Sequence, residues 1–187
     1  RLGFVSVEAA IAAAKAFGRT GAPGAFTITR ADLNGTPKAG KGSWRVVRLL
    51  QPEATLLPAD QPLPDPPTPE DRGTLRTAGD RLRPRWESPL APENILRLWK
   101  EGPEAARGAA EHGPDGRAAV TVQALEAGTY RLIYETKDDF GAVCRESLDF
   151  LVSGGKTSVR LPLLCVAETA SVPVGGTARL LLHSGFA

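Results

Sequence analysis

Apolar residues at every second position, in short runs closed by glycine-rich turns, are what most constrain this chain. A period of two places alternate side chains on opposite faces of a strand, so such runs build sheets with one face toward a core. The pattern is plainest in the last third. Arg117 to Val122 reads as a strand, and Thr129 to Glu135 reads as a second with Tyr130, Leu132 and Tyr134 on one face. After the turn Lys137-Asp138-Asp139-Phe140-Gly141, residues Ala142 to Val152 place Cys144, Leu148, Phe150 and Val152 together. Ser153-Gly154-Gly155-Lys156 ends that run. Val159, Leu161, Leu163 and Cys165 alternate again, and Ala178 to His183 follows Val174-Gly175-Gly176 as a final strand. Short strands at regular spacing with glycine-rich turns indicate an antiparallel β-sandwich.

The first fifty residues carry the same pattern. Val5, Val7, Ala9, Ile11 and Ala13 alternate, although the continuation Ala12-Ala13-Ala14-Lys15-Ala16 is also good helix material, so its second half stays open. Ala25 to Arg30 alternates about Phe26 and Ile28. Asn34-Gly35 then gives a strong hairpin signal, because both residues tolerate positive φ, and Trp44 to Leu50 reads as the return strand. Between them lies a different chemistry. Pro52, Pro58, Pro62, Pro64, Pro66, Pro67 and Pro69 crowd together, followed by five arginines, Arg72, Arg76, Arg81, Arg83 and Arg85. Proline removes ladder donors, so residues 51 to 112 are expected to be an insertion with little sheet. Pro92 and Gly102-Pro103 bracket one short expected helix, Glu93 to Glu101.

Composition excludes little but is consistent. Hydrophobic residues make up 42% and charged residues 24%, a globular balance, and a formal net charge of +2 argues for neither nucleic acid nor an anionic membrane as partner. The chain begins at Arg1, contains no Met and stops at Ala187 soon after an apolar run, and it reads as a piece of a longer protein. Cys144 and Cys165 lie too far apart for a zinc pattern; they could pair in an oxidising compartment, but two buried free thiols are the expectation.

No catalytic constellation emerges, and the chain is read as non-enzymatic, without cofactor, metal or small-molecule substrate. Ser153-Gly154-Gly155-Lys156-Thr157 looks like the tail of a phosphate-binding loop, but Phe150 stands where that pattern needs glycine. His112 and His183, even with the two cysteines, share no short ligand spacing. No Gly-x-Ser-x-Gly elbow is present. The arginine-rich stretch could dock an acidic partner, but Asp71, Asp80 and Glu87 are nearby, and a solvated loop satisfying its own charges is the plainer reading. Asn34-Gly35-Thr36 matches a glycosylation acceptor, which its place at a turn already explains. One structural signal is fairly specific. Leu125-Glu126-Ala127-Gly128-Thr129-Tyr130 has the form Leu-x-x-Gly-x-Tyr, in which a tyrosine entering a late strand bonds back across a Greek-key corner. The structural residues singled out are therefore Tyr130, Leu125, Gly128, Asn34 and Gly35.

Taken in order, these segments resemble the macroglobulin-like domains of the alpha-macroglobulin family. The carriers are Pro114-Asp115-Gly116-Arg117, then Leu125-x-x-Gly128-x-Tyr130-Arg131-Leu132, then Lys137-Asp138-Asp139-Phe140-Gly141, with Ala31-Asp32-Leu33-Asn34-Gly35-Thr36-Pro37 similar to an early hairpin of those domains. Ala167-Glu168 through Val172-Pro173-Val174-Gly175-Gly176-Thr177-Ala178-Arg179 is similar to the opening of a following domain. The resemblance implies an immunoglobulin- or fibronectin-like sandwich over 1–154, with 155–187 as linker and first strands of the next. It also implies a large periplasmic, cell-surface or secreted parent that traps proteases as an endopeptidase inhibitor. The partners of this piece would be neighbouring domains of the same chain, and proteases through the parent. The family's thioester run, Gly-Cys-x-Glu-Gln, matches neither Cys144-Arg145-Glu146 nor Cys165-Val166-Ala167. The rival expectation is a generic adhesion or ligand-binding module whose ligand sits on the long loop.

Overall fold

A computed structural model describes residues 5–56, 92–155 and 159–186. In chain order the strands are β1 (Val7–Ala13), β2 (Gly18–Arg19), β3 (Gly24–Asp32), β4 (Gly40–Leu50), β5 (Lys100–His112), β6 (Arg117–Val122), β7 (Gly128–Lys137), β8 (Val143–Ser153), β9 (Leu164–Ala167) and β10 (Leu180–His183). Among the described residues, a 3-10 helix, Pro92–Leu98, precedes β5. Two sheets face each other, a three-stranded β1-β3-β6 and a five-stranded β2-β8-β7-β4-β5, while β9 and β10 pair apart from both. Every pairing is antiparallel except the two-residue β2–β8 contact. The fold is the all-β sandwich expected from the alternation.

The inner faces meet in one cluster. Phe26 and Ile28 from β3, Val120 and Val122 from β6, and Val46, Leu132, Tyr134, Phe150 and Val152 from the larger sheet are buried together. Alternation alone would leave the other face of the larger sheet wet, and it does not. Phe17, Leu49 and Leu151 are buried there beneath Ile95, Leu96 and Trp99 from the 3-10 helix region and beneath Val159 and Leu161. Leu49 is 2% exposed and Leu132, on the opposite face, is 0% exposed.

Three expectations are corrected. First, β3 and β4 do not form a two-stranded ladder. The Asn34–Gly35 turn exists, with Gly35 at φ 84°, and Asp32 Oδ1 accepts from the backbone N–H groups of Asn34 and Thr36 at 2.9 Å each. The strands part after Lys38, whose N–H still donates to the Arg30 carbonyl at 3.0 Å. Both strands carry an apolar face, and placing them in opposite sheets buries those faces against one another, which a shared sheet could not do.

Second, residues 51–112 are not free of sheet, and no helix runs from Glu93 to Glu101. The 3-10 turn ends at Leu98 and β5 takes over at Lys100, pairing with β4 along its length. Its Ala-, Glu- and Arg-rich sequence favours helix by propensity, but it is an edge strand with small inward residues, Ala106, Gly108 and Ala110. Pro103 is tolerated because register shifts interrupt the ladder between Val46 and Leu49. The proline run from Pro58 and the arginine-rich stretch lie outside the described residues.

Third, the alternation from Val159 to Cys165 changes phase. A bend at Pro162 leaves Leu163 and Cys165 exposed and turns Leu164 and Val166 inward. Cys165 is therefore an exposed free thiol and Cys144 a partly buried one, rather than two buried thiols.

Burial on both faces of the large sheet has a direct consequence. Leu132→Ala and Leu49→Ala should each lower unfolding free energy by about 2–5 kcal/mol in urea titrations, the usual range for a buried Leu→Ala. A loss under about 0.5 kcal/mol for Leu49→Ala, the range of a surface change, would mean that the outer layer is not packed.

Candidate functional site

The end of the sandwich where β7 begins is organised by one tyrosine. Tyr130 Oη donates to the Glu126 carbonyl at 2.9 Å, and its ring stacks on Phe150 at 5.7 Å. Phe150 in turn meets Phe26 edge-on at 5.0 Å. Burial pushes the Tyr130 phenol up. Leu125 packs on the same cluster, and Gly128 leaves room for Arg48, whose Nη2 donates to the Ala127 carbonyl at 3.3 Å. Tyr130, Leu125 and Gly128 are thus neighbours, while Asn34 and Gly35 lie at the opposite end.

That opposite end is held by polar groups. Asp138 is buried in the β7–β8 turn. Its Oδ2 accepts from Ser6 N and Oγ at 2.9 and 3.0 Å, and its Oδ1 from Phe140 N and Ala142 N at 2.9 and 2.8 Å. These bonds, that from the Ser6 N–H foremost, hold its carboxyl below the usual range. Between the sheets, buried Arg30 donates to the carbonyls of Ala39 and Lys137 at 2.7 and 3.0 Å. His112 Nδ1 lies 2.9 Å from the Gly116 carbonyl and Nε2 lies 2.7 Å from Tyr134 Oη. A carbonyl only accepts, so Nδ1 carries a proton, and in that neutral tautomer Nε2 accepts from the tyrosine hydroxyl.

The remaining candidates separate. His183 Nε2 lies 2.7 Å from the Val159 carbonyl, far in the chain from His112. Among the described residues, no group of three or more His, Cys, Asp or Glu gathers as for a metal. Burial raises the Cys144 thiol above its ordinary value. Ser153 is a sheet residue whose Oγ donates to the Gly18 carbonyl at 3.1 Å, and Lys156 and Thr157 lie outside the described residues. No helix among those residues is long and apolar enough to cross a membrane.

The feature that sequence reasoning missed is how residues 159–186 attach. Glu168 is buried and takes Lys15 at 2.8 Å and Arg179 at 3.2 Å, while its carbonyl accepts from Ala16 N at 3.0 Å. Lys15 above all, then Arg179, holds its carboxyl below the ordinary value of 4.5. Arg160 N donates to Gln51 Oε1 at 2.8 Å and Thr55 Oγ1 to the Gly185 carbonyl at 2.8 Å. Beside them, Arg131 grips Asp149 with two bonds of 2.6 and 3.1 Å and donates to the Leu96 carbonyl at 2.9 Å, tying the 3-10 helix to the sheet. The segment so attached keeps an apolar outer face, with Leu163, Leu180 and Leu182 exposed by 65%, 64% and 69%.

A three-stranded sheet packed on a five-stranded one, with a tyrosine corner at the start of β7, defines an immunoglobulin-like sandwich module. No family model and no curated protein matches the sequence. Among solved structures, the chain is similar to Escherichia coli alpha-2-macroglobulin activated by porcine elastase, with a TM-score of 0.43, 15% identity and cover of 90% of this chain and 14% of that one. It is also similar to the native conformation of the E. coli protein, with a TM-score of 0.40, 15% identity and cover of 87% and 11%. Dimeric latent PorU from Porphyromonas gingivalis gives a TM-score of 0.44, 10% identity and cover of 92% and 16%. The chain spans less than a fifth of each of these proteins.

Two tests follow from this geometry. Tyr130→Phe removes one hydrogen bond and should cost about 1 kcal/mol; equal denaturation midpoints would remove the corner bond from the account. Glu168→Gln tests the clasp through pH. The folded state binds the Glu168 proton less tightly than the unfolded state, so its contribution is complete above 4.5 and fades as pH falls through the lower folded value. The midpoint gap between Glu168→Gln and the parent should be present at neutral pH and close on acidification; a gap independent of pH would contradict the clasp.

Proposed function

We propose that this chain is a structural macroglobulin-like domain, residues 1–154, followed from 155 to 187 by a linker and the first strands of a second sandwich. The parent is read as a large protease-trapping protein of the cell envelope, periplasmic, surface-bound or secreted. The observation that carries the reading is the two-sided hairpin β9–β10. One side, through Leu164, Val166 and Leu181, rests on the outer cluster of the sandwich, and the other presents Leu163, Leu180 and Leu182 to solvent. Two strands cannot bury such a face by themselves, and a strand pair that begins a following sheet has this character. The order of the sequence signals, from Asp115-Gly116 through Tyr130 and Asp138 to the Val174-Gly175-Gly176 turn, supports the same assignment.

In this role the module supplies shape and interfaces. Its groups hold strands together, and its partners are neighbouring domains, with proteases met only through the parent. The experiment is protease treatment of the full parent followed by small-angle scattering. A single cut should be followed by a large compaction of the whole particle. Cleavage that leaves the scattering profile unchanged would overturn protease trapping. The domain division has its own test. Truncation after Gly155 should leave a cooperatively unfolding sandwich, weakened by loss of the apolar cover from Val159, Leu161, Leu164, Val166 and Leu181 and of the Lys15–Glu168 pair; loss of cooperative unfolding would make the segment part of one core.

A further inference from the structure

The two ends of the sandwich differ, one holding a cavity and the other an exposed aromatic ring. At the end where β1, β6 and β8 finish, the sheets part around a cavity of about 120 Å³. Its walls include the rings of Phe17, Phe26 and Phe150 and the side chains of Val122, Leu125 and Val152. Apolar cavities of about 150 Å³ in protein interiors stay dry and take up benzene, so this one is close to the size of a single phenyl ring. Aromatic walls add edge-to-face contacts for such a guest. Lys15, Glu168 and Arg19 also line it. Lys15 and Glu168 pair with one another, whereas Arg19 is exposed and forms no ion pair among the described residues.

The other end carries the matching projection. Phe140, at the tip of the β7–β8 turn, is 87% exposed. The tip is rigid, because Asp138 accepts four hydrogen bonds within it and from Ser6, and the Gly141 N–H closes back on the Asp138 carbonyl at 3.1 Å. A backbone fixed in advance loses little freedom on docking. Asp139, exposed beside it, offers the charge that Arg19 lacks. The length of β7 separates the two ends by about 30 Å at 3.3 Å per residue, so Phe140 cannot reach the cavity of its own chain.

We propose that the cavity is a socket for a phenyl ring, and that Phe140 of a second copy of this chain fills it with Asp139 against Arg19. The contact joins unlike surfaces, head to tail, and does not close on itself. One ring and one ion pair make a small interface, so association is weak. This inference does not depend on the protease-trapping reading, since it concerns only how copies of the sandwich meet.

Sedimentation equilibrium of the 187-residue chain tests it, over concentrations from about 10 μM to about 1 mM, the range of weak association. The weight-average mass of the parent should climb with concentration. Phe140→Ala, which alters an exposed tip, should remain monomeric. So should Ala13→Phe, because Ala13 lies directly opposite Phe26 in the β1–β3 ladder and lines the cavity, where a larger side chain occupies the socket. An equimolar mixture of the two variants should give a one-to-one dimer and nothing larger, each variant keeping one working end. Asp139→Lys should weaken association about tenfold and Arg19→Glu should restore it in the double variant. Benzene, followed on the methyl resonances of Val122 and Val152, should bind the parent and Phe140→Ala but not Ala13→Phe. A parent that stays monomeric throughout, self-association of Phe140→Ala equal to the parent's, or a mixture that remains monomeric would each overturn the proposal.

Discussion

Burial of the five-stranded sheet on both faces is the constraint on which the rest of the structure depends. A sandwich sheet ordinarily has one dry face. Here β7, the central strand, presents Tyr130, Leu132 and Tyr134 to the inner cluster and Thr129 and Ile133 to the other side, all buried. The outer side is dry only because other chain segments cover it. The 3-10 helix is held there by Arg131, and Val159 and Leu161 by the contacts at Glu168, Gln51 and Thr55. The polar anchors and the apolar cover act together, since each ion pair or hydrogen bond positions a segment whose apolar residues supply the burial.

Signals that operate within a few residues were legible in the sequence. The Tyr130 corner needs only the span from Leu125 to Tyr130, and the face shared by Leu148, Phe150 and Val152 needs only alternation. What was not legible depends on partners distant in the chain. Nothing local tells that Trp44 to Leu50 leaves the sheet of Phe26 and Ile28, because either placement preserves the alternation. Lys100 to His112 looks helical by composition and becomes a strand only because β4 offers an open edge. Lys15 and Glu168 are 153 residues apart in the chain, and neither carries a motif. The phase change at Pro162 was the one miss with a local cause, since a proline inside an alternating run signals a bend.

The ends of the sandwich follow from the same economy of side chains. At one end a tyrosine closes the corner, and an apolar cavity lies between the sheets beside Phe17 of the β1–β2 connection. At the other, Asp138, Arg30 and the His112–Tyr134 pair saturate the backbone groups of the turns, so the tip at Phe140 is stiff without being covered. A stiff projection at one end, a recess at the other and an apolar hairpin on the flank are the features on which the proposed contacts with neighbouring modules rest.

That the hairpin belongs to a following module, docked on a sandwich that stands by itself, is the central claim, and native-state hydrogen exchange tests it most directly. The account predicts that amides of β4 and β7 exchange only through global unfolding, while amides of β9 and β10 open separately at a lower free energy. Exchange of β9, β10 and β7 at one common free energy would contradict it.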